Sequence, residues 1–217
     1  EEQKKGDRYL HTMVTNGSSR LRPGMELVLT RWIALSGTAK LAEEKEAELL
    51  KRFPETLVRE ARHFSELGYT VITPDNRAHG ESDGSYIGMG WLDRKDLLRW
   101  IDQVVNQDPD AEIVLYGVSM GGATVMMTAG EVLPSNVKAI IEDCGYTSVY
   151  EMFKNQLDYR FGLPEFPFLA TADIMTGIRA GYHFKEASAV KQLEKATVPI
   201  MFIHGSNDTY VPTKMVY

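Results

Sequence analysis

From residue 68 onward, four short apolar runs recur: 68–74 ("GYTVITP"), 111–117 ("AEIVLYG"), 137–144 ("VKAIIEDC") and 198–205 ("VPIMFIHG"). Each is too short to bury a full helical face and is bounded by glycine, proline or charged residues, which is the pattern of a strand. Between them lie 91–105, with apolar residues at helical spacing, and 120–133, rich in small residues. Strands separated by helices are joined by crossovers and run parallel. A parallel sheet is covered on both faces, which explains why these runs are apolar throughout rather than alternating. The expected fold is α/β, a mostly parallel central sheet with helices on both faces.

The remaining segments fit around that frame. Residues 1–24 are polar and turn-rich and read as a surface lead-in. Residues 25–35 ("MELVLTRWIAL") are a further strand candidate, able to hold one long strand or two short ones. Residues 39–67 carry apolar positions at helical spacing, with Pro54 ending one helix and starting the next. The segment 145–195 breaks the rhythm. It holds Pro164 and Pro167 and many aromatics, among them Tyr146, Tyr150, Phe153, Tyr159, Phe161, Phe166, Phe168, Tyr182 and Phe184. Two compatible readings exist for it: an irregular helical connection with its own small core, or a small helical cap over a pocket. With 217 residues, the chain is expected to form a single domain, 1–217.

Composition excludes several classes. A net charge of −6 leaves no basic surplus for phosphates, so no nucleic-acid partner is expected. No apolar run is long enough for a membrane segment. The lone Cys144 rules out an internal disulfide and fits a reducing, cytoplasmic compartment. No HExxH, CxxC or clustered carboxylate pattern is present, so neither metal nor cofactor is expected. Composition says nothing of oligomeric state.

Gly117-Val118-Ser119-Met120-Gly121 matches G-x-S-x-G. The motif alone is weak, but an apolar strand ends directly before it and a small-residue helix begins directly after it, as a nucleophile elbow requires. Such a turn is too sharp for side chains at its glycine positions. It lifts the serine oxygen clear of the sheet and leaves the Met120 N–H free at a helix N-terminus, where it can stabilise an oxyanion. Asp208, in "HGSNDTYVP", follows the last strand candidate at the sheet edge where ligand sites gather. An acid there would orient a histidine; its plainer reading is a turn residue.

"PDNRAHGESDG", "GVSMGG", "IIEDCGYTS" and "HGSNDTYVP", in this order, resemble the α/β-hydrolase superfamily. More narrowly, they resemble bacterial esterase-like and acylaminoacyl-peptidase-like serine hydrolases. The resemblance covers about residues 60–217 and implies Ser119 as nucleophile, Asp208 as triad acid and Met120 as one oxyanion donor. It departs at two places. No His-Gly precedes residue 79 to supply the second oxyanion donor; if 30–35 form the central strand, Ser36-Gly37-Thr38 occupies that loop and Gly37 is the candidate. The family order is Ser, Asp, His, yet only nine residues follow Asp208 and none is histidine.

None of the five histidines present is a good base. His204 matches a structural His-Gly, His79 lies in a loop after the 68–74 strand, and His183 lies in the cap segment. His63 falls on a polar helix face and His11 in the lead-in. The expectation is therefore that the base lies on a further C-terminal strand and helix, the chain being C-terminally truncated. Asp143, ending the 137–144 strand, is the second choice for the acid; the alternative is that Glu142 and Asp143 cap a turn into "CGYTS". Cys144 reads as a small buried residue rather than a nucleophile. The resulting expectation is a serine hydrolase that cleaves a carboxylic ester, less readily an amide, of a small-molecule acyl substrate through an acyl-enzyme on Ser119. The alternative is a non-catalytic α/β-hydrolase-like binding protein with an incomplete triad.

Overall fold

The computed structural model describes residues 12–15, 25–29, 36–37, 61–64, 67–79 and 82–216. Seven strands form one sheet: β1 (Thr12–Thr15), β2 (Met25–Leu29), β3 (Ser36–Gly37), β4 (Thr70–Ile72), β5 (Glu112–Val118), β6 (Val137–Asp143) and β7 (Ile200–Ile203). Their order across the sheet is β3-β1-β4-β2-β5-β6-β7. Among the described strands only β1 and β4 pair antiparallel; the other pairs are parallel. The sheet is thus mostly parallel, as the alternation of apolar runs and helices requires.

Two features differ from the reading of the sequence. The polar lead-in contains a strand, β1, whose Thr12 and Met13 pair with Ile72 and Val71. The central place beside the serine strand belongs to 25–29 and not to 30–35: Leu27 lies opposite Val71 on one side and Val114 on the other. The two halves of 25–35 carry one charge each, Glu26 and Arg31, so hydrophobic pattern alone does not choose between them. Pairing on both edges does.

Five helices are described: α1 (Asp93–Gln107), α2 (Met120–Ala129), α3 (Val149–Phe161), α4 (Phe168–Ala180) and α5 (Ala189–Leu193). Helix α1 buries Leu97, Ile101 and Val104, positions at helical spacing on one stripe, against Ile72, Ile113 and Leu115 of the sheet. Helix α2 is buried from Gly121 to Ala129 on every side, which only a run of small and apolar residues permits. It reaches two cores. Val125 and Ala129 join the sheet side, while Ala123, Met126 and Met127 pack with Tyr146, Val149, Met152, Leu169, Tyr182 and Phe184. The segment 145–195 is therefore anchored on α2 by part of its aromatics, while Tyr159, Phe161, Phe166 and Phe168 stay exposed. Its first helix starts at an N-cap, with Ser148 Oγ accepting from the Glu151 N–H at 3.1 Å, and ends at Gly162 in the left-handed region.

Of the expected helices at 39–67, only a turn at 61–64 lies within the described residues.

Candidate active site

The chain leaves β5 at Val118, turns at Ser119 and enters α2 at Met120. Ser119 has φ 55° and ψ −115°, a conformation an L residue keeps only when its surroundings enforce it. Here the enforcement is visible. The Ser119 N–H donates to the Asp143 carbonyl at 2.7 Å, and the Ser119 carbonyl accepts from the Ala123 N–H at 3.0 Å. The turn is thus held to the end of β6 on one side and to the first turn of α2 on the other. Close backbone approach completes it: a Cβ on Gly122 would lie 3.0 Å from the Asp143 carbonyl oxygen and 3.0 Å from the Gly145 Cα. Met120 occupies the first helical position, and its N–H has no acceptor among the described residues.

Register gathers the other candidates on the same edge. Val118 lies opposite Asp143, and Asp143 lies opposite Ile203, so Ser119, Cys144 and His204 follow the ends of three adjacent strands. The Cys144 N–H donates to the Ile203 carbonyl at 2.8 Å, extending the ladder past the strand ends. Burial raises the Asp143 carboxyl above its ordinary value; the long 3.5 Å contact from Tyr116 Oη and the nearby His204 oppose the rise, and Asp208 adds to it. Burial also pushes the Cys144 thiol up to about 11, so it stays protonated at neutral pH, in keeping with a structural role.

Asp208 lies in the loop after β7. Its Oδ1 accepts from the Tyr210 and Val211 N–H groups at 2.8 and 2.9 Å, which fixes the turn. Its Oδ2 stands 3.9 Å from His204 Nε2. His204 is 2% exposed at its side chain, and its Nε2 lies 2.8 Å from the Val211 carbonyl. A carbonyl only accepts, so Nε2 carries a proton committed to this loop, while the buried Nδ1 has no partner among the described residues.

The other histidines are engaged elsewhere. His79 Nδ1 donates to the Arg77 carbonyl at 2.9 Å, in a loop where Ala78 has φ 57°. His183 Nδ1 lies 3.1 Å from Asp173 Oδ2 and is half exposed. His63 is exposed on the 61–64 turn, and His11 lies outside the described residues. Ser119, Met120, Asp143 and Asp208 are therefore brought to one sheet edge, and Gly37 is not. Ser36 and Gly37 pair with Val14 and Thr15 in β3, with β1, β4 and β2 between them and β5. At the ordinary spacing of strands this is roughly 19 Å from the serine strand. The candidacy of Gly37 as an oxyanion donor falls with the assignment of 30–35 as the central strand.

Glu142, the other carboxylate at the exit of β6, is 1% exposed and accepts the Gly145 N–H on Oε2 at 2.8 Å, so of the two it is the one that caps the turn into "CGYTS". Burial raises its carboxyl as well. Among the described residues no group of His, Cys, Asp and Glu is placed to hold a metal ion, and no helix is long and apolar enough to cross a membrane.

Residues 53–174 match the family profile described as alpha/beta hydrolase fold. The uncharacterized protein YqkD of Bacillus subtilis (strain 168) is 30% identical over 150 residues, 69% of this chain and 49% of that protein. The lysophosphatidylserine lipase ABHD12 of Danio rerio is 26% identical over 159 residues, 70% of this chain and 39% of that protein. The chain thus spans half or less of the length of these two relatives. Among solved structures, the Pyrococcus furiosus esterase Pf2001 superposes with a TM-score of 0.62 at 20% identity, over 89% of this chain and 66% of that one. With the profile covering more than half of its residues, and with a mostly parallel sheet carrying a strained serine between strand and helix, the chain belongs to the α/β-hydrolase fold family.

Proposed function

We propose that this chain carries the nucleophile, one oxyanion donor and the acid of a serine hydrolase that cleaves carboxylic esters through an acyl-enzyme. The observation that carries the reading is the Ser119 backbone, φ 55° and ψ −115°, at a strand–helix junction. That conformation is costly, and it suits a hydroxyl that must stand free of the sheet beside a helix N-terminus.

Ser119 Oγ attacks the ester carbonyl carbon while a histidine takes its proton. The oxygen of the tetrahedral intermediate gains negative charge opposite the Met120 N–H and the positive end of the α2 dipole. Collapse of the intermediate expels the alcohol, which takes the proton from the histidine. Water then repeats the sequence on the acyl-enzyme, releasing the acid and restoring Ser119. Asp208 offers Oδ2 to the histidine while Oδ1 holds its own loop. In this reading the base is a histidine from outside the described residues.

A second reading, a binding protein with the elbow retained and the chemistry lost, is favoured by one observation: the His204 Nε2 proton at the rim is already given to Val211. A fluorophosphonate probe separates the two. Labelling located at Ser119 by peptide mapping, and absent from Ser119→Ala, supports the hydrolase. A folded full-length protein that takes no label overturns it. Hydrolysis of aryl acetates and longer aryl esters, set beside the matching anilides, then distinguishes ester from amide preference and ranks acyl length.

A further inference from the structure

Away from Ser119, a cavity of about 600 Å³ opens between the loop after β4, helix α1 and the last turn of α4. Its wall includes Arg77, Tyr86, Asp96, Arg99, Trp100 and Arg179. A second cavity, about 270 Å³, shares Tyr86, Arg179 and Ala180 with the first and is lined further by Ile87, Met175 and Tyr182. Together they have the size of a small-molecule site.

The charges in the first cavity are not balanced pair by pair. Arg77 is bound by Asp96 through two contacts of 2.7 and 2.8 Å, which satisfies both. Asp75 and Asp83, also in the wall, have contacts of their own. Arg99 and Arg179 make no side-chain hydrogen bond or ion pair among the described residues, yet both face this one space. Arg99 and Arg179, exposed and on different helices, are thus the guanidiniums of this wall left without a carboxylate partner among the described residues. The chain as a whole carries −6, so this pair does not reflect a general basic surplus. A guanidinium pair suits an oxygen-rich anion that accepts in bidentate fashion.

The second cavity has the opposite character. Tyr86, Ile87 and Met175 are 45%, 44% and 40% exposed, an unusual amount of apolar surface to meet at one concavity. The cavity is preformed, since Tyr182 Oη donates to the Ile87 carbonyl at 3.3 Å and ties the loop to the 145–195 segment. Arg179 stands where the two spaces meet, so a polar chamber continues directly into an apolar one.

We propose that these joined cavities bind a single-chain amphiphile with an anionic headgroup, the headgroup between Arg99 and Arg179 and the alkyl chain against Tyr86, Ile87 and Met175. The site is separate from the serine chemistry and is tested with full-length Ser119→Ala protein, so that no probe is consumed. Calorimetric titration uses dodecyl phosphate, decyl phosphate and dodecyl maltoside below their micelle concentrations, inorganic phosphate, and vesicles of phosphatidylcholine with phosphatidylserine.

Dodecyl phosphate is expected to bind about fifteenfold more tightly than decyl phosphate, the effect of burying two methylenes. It should exceed inorganic phosphate and dodecyl maltoside by at least a hundredfold. Arg99→Gln with Arg179→Gln should weaken dodecyl phosphate at least tenfold and leave dodecyl maltoside unchanged. Met175→Ser should narrow the gap between the two chain lengths. The proposal fails if inorganic phosphate binds as tightly as dodecyl phosphate, which would mark a free-anion site. It fails equally if the maltoside binds as well, or if only vesicles bind. The ligand panel decides the matter on unsubstituted arginines, so an unfolded variant would not obscure the answer.

Discussion

Gly122 lets α2 rest its backbone against the exit of β6, and a methyl group there meets main-chain atoms at 3.0 Å rather than a side chain that could turn away. Gly122→Ala is therefore expected to destabilise the fold by about 1–3 kcal/mol, read as a lower urea midpoint at unchanged slope. Cys144, next along the rim, should be a slow thiol. With its titration pushed up to about 11, its thiolate fraction at pH 8 is about two hundredfold below that of an ordinary cysteine. Iodoacetamide alkylation of the native protein should be slow at pH 8 and accelerate as the pH rises towards 11, whereas a reactive Cys144 would label readily at pH 7. Ser119 itself was legible from five letters, because the strand before it and the helix after it are strong patterns. Glu142 was legible only as one of two adjacent carboxylates able to cap the turn, since which of them reaches the Gly145 N–H depends on how the chain turns and not on its hydropathy.

At the scale of elements, the loop 204–211 joins a structural role to the proposed catalytic one, and substitution can separate the two. Asp208 Oδ1 holds the turn, and in the proposed mechanism Oδ2 serves the base. In Asp208→Asn the amide oxygen still accepts both N–H groups, so stability should change by less than about 1 kcal/mol. If the acid acts as proposed, kcat/KM should nonetheless fall by on the order of 10³–10⁴. A fall in urea midpoint that accounts for the whole loss of activity would reduce Asp208 to a turn residue. The strands β4 to β7 were readable as apolar runs because each is bounded by turn residues. The place of β2 was not, since pairing across the sheet is a long-range choice that two similar halves of one run leave open. Strand β1 was hidden for a different reason: four residues among polar neighbours give no periodicity to read, and their order comes from pairing with β4. The Arg77–Asp96 pair was equally invisible, since loop and helix must first be folded together before the two residues meet.

At the scale of the whole molecule, the buried carboxyls make stability depend on pH in a direction opposite to that of a salt-bridged acid. Burial raises Glu142 above its ordinary 4.5, so the folded state holds this proton more tightly than the unfolded chain does. Its contribution is most favourable below the ordinary value and is lost as the pH rises from there through the raised one. Glu142→Gln keeps an acceptor for the Gly145 N–H and removes the charge. The stability of this variant relative to the parent should therefore improve between pH 4 and pH 7, and a difference that is flat across that range would contradict the assignment. The bonds from Ser119 N–H to Asp143 and from Cys144 N–H to Ile203 sew three strand ends together beyond the last paired residues. These two amides sit in turns, where deuterium normally enters within seconds, yet their acceptors belong to the sheet and they are expected to open with it. Their exchange should follow that of Leu115 and Ile140 and not that of the neighbouring loops, so the rim of the site and the middle of the sheet would keep time with a single clock.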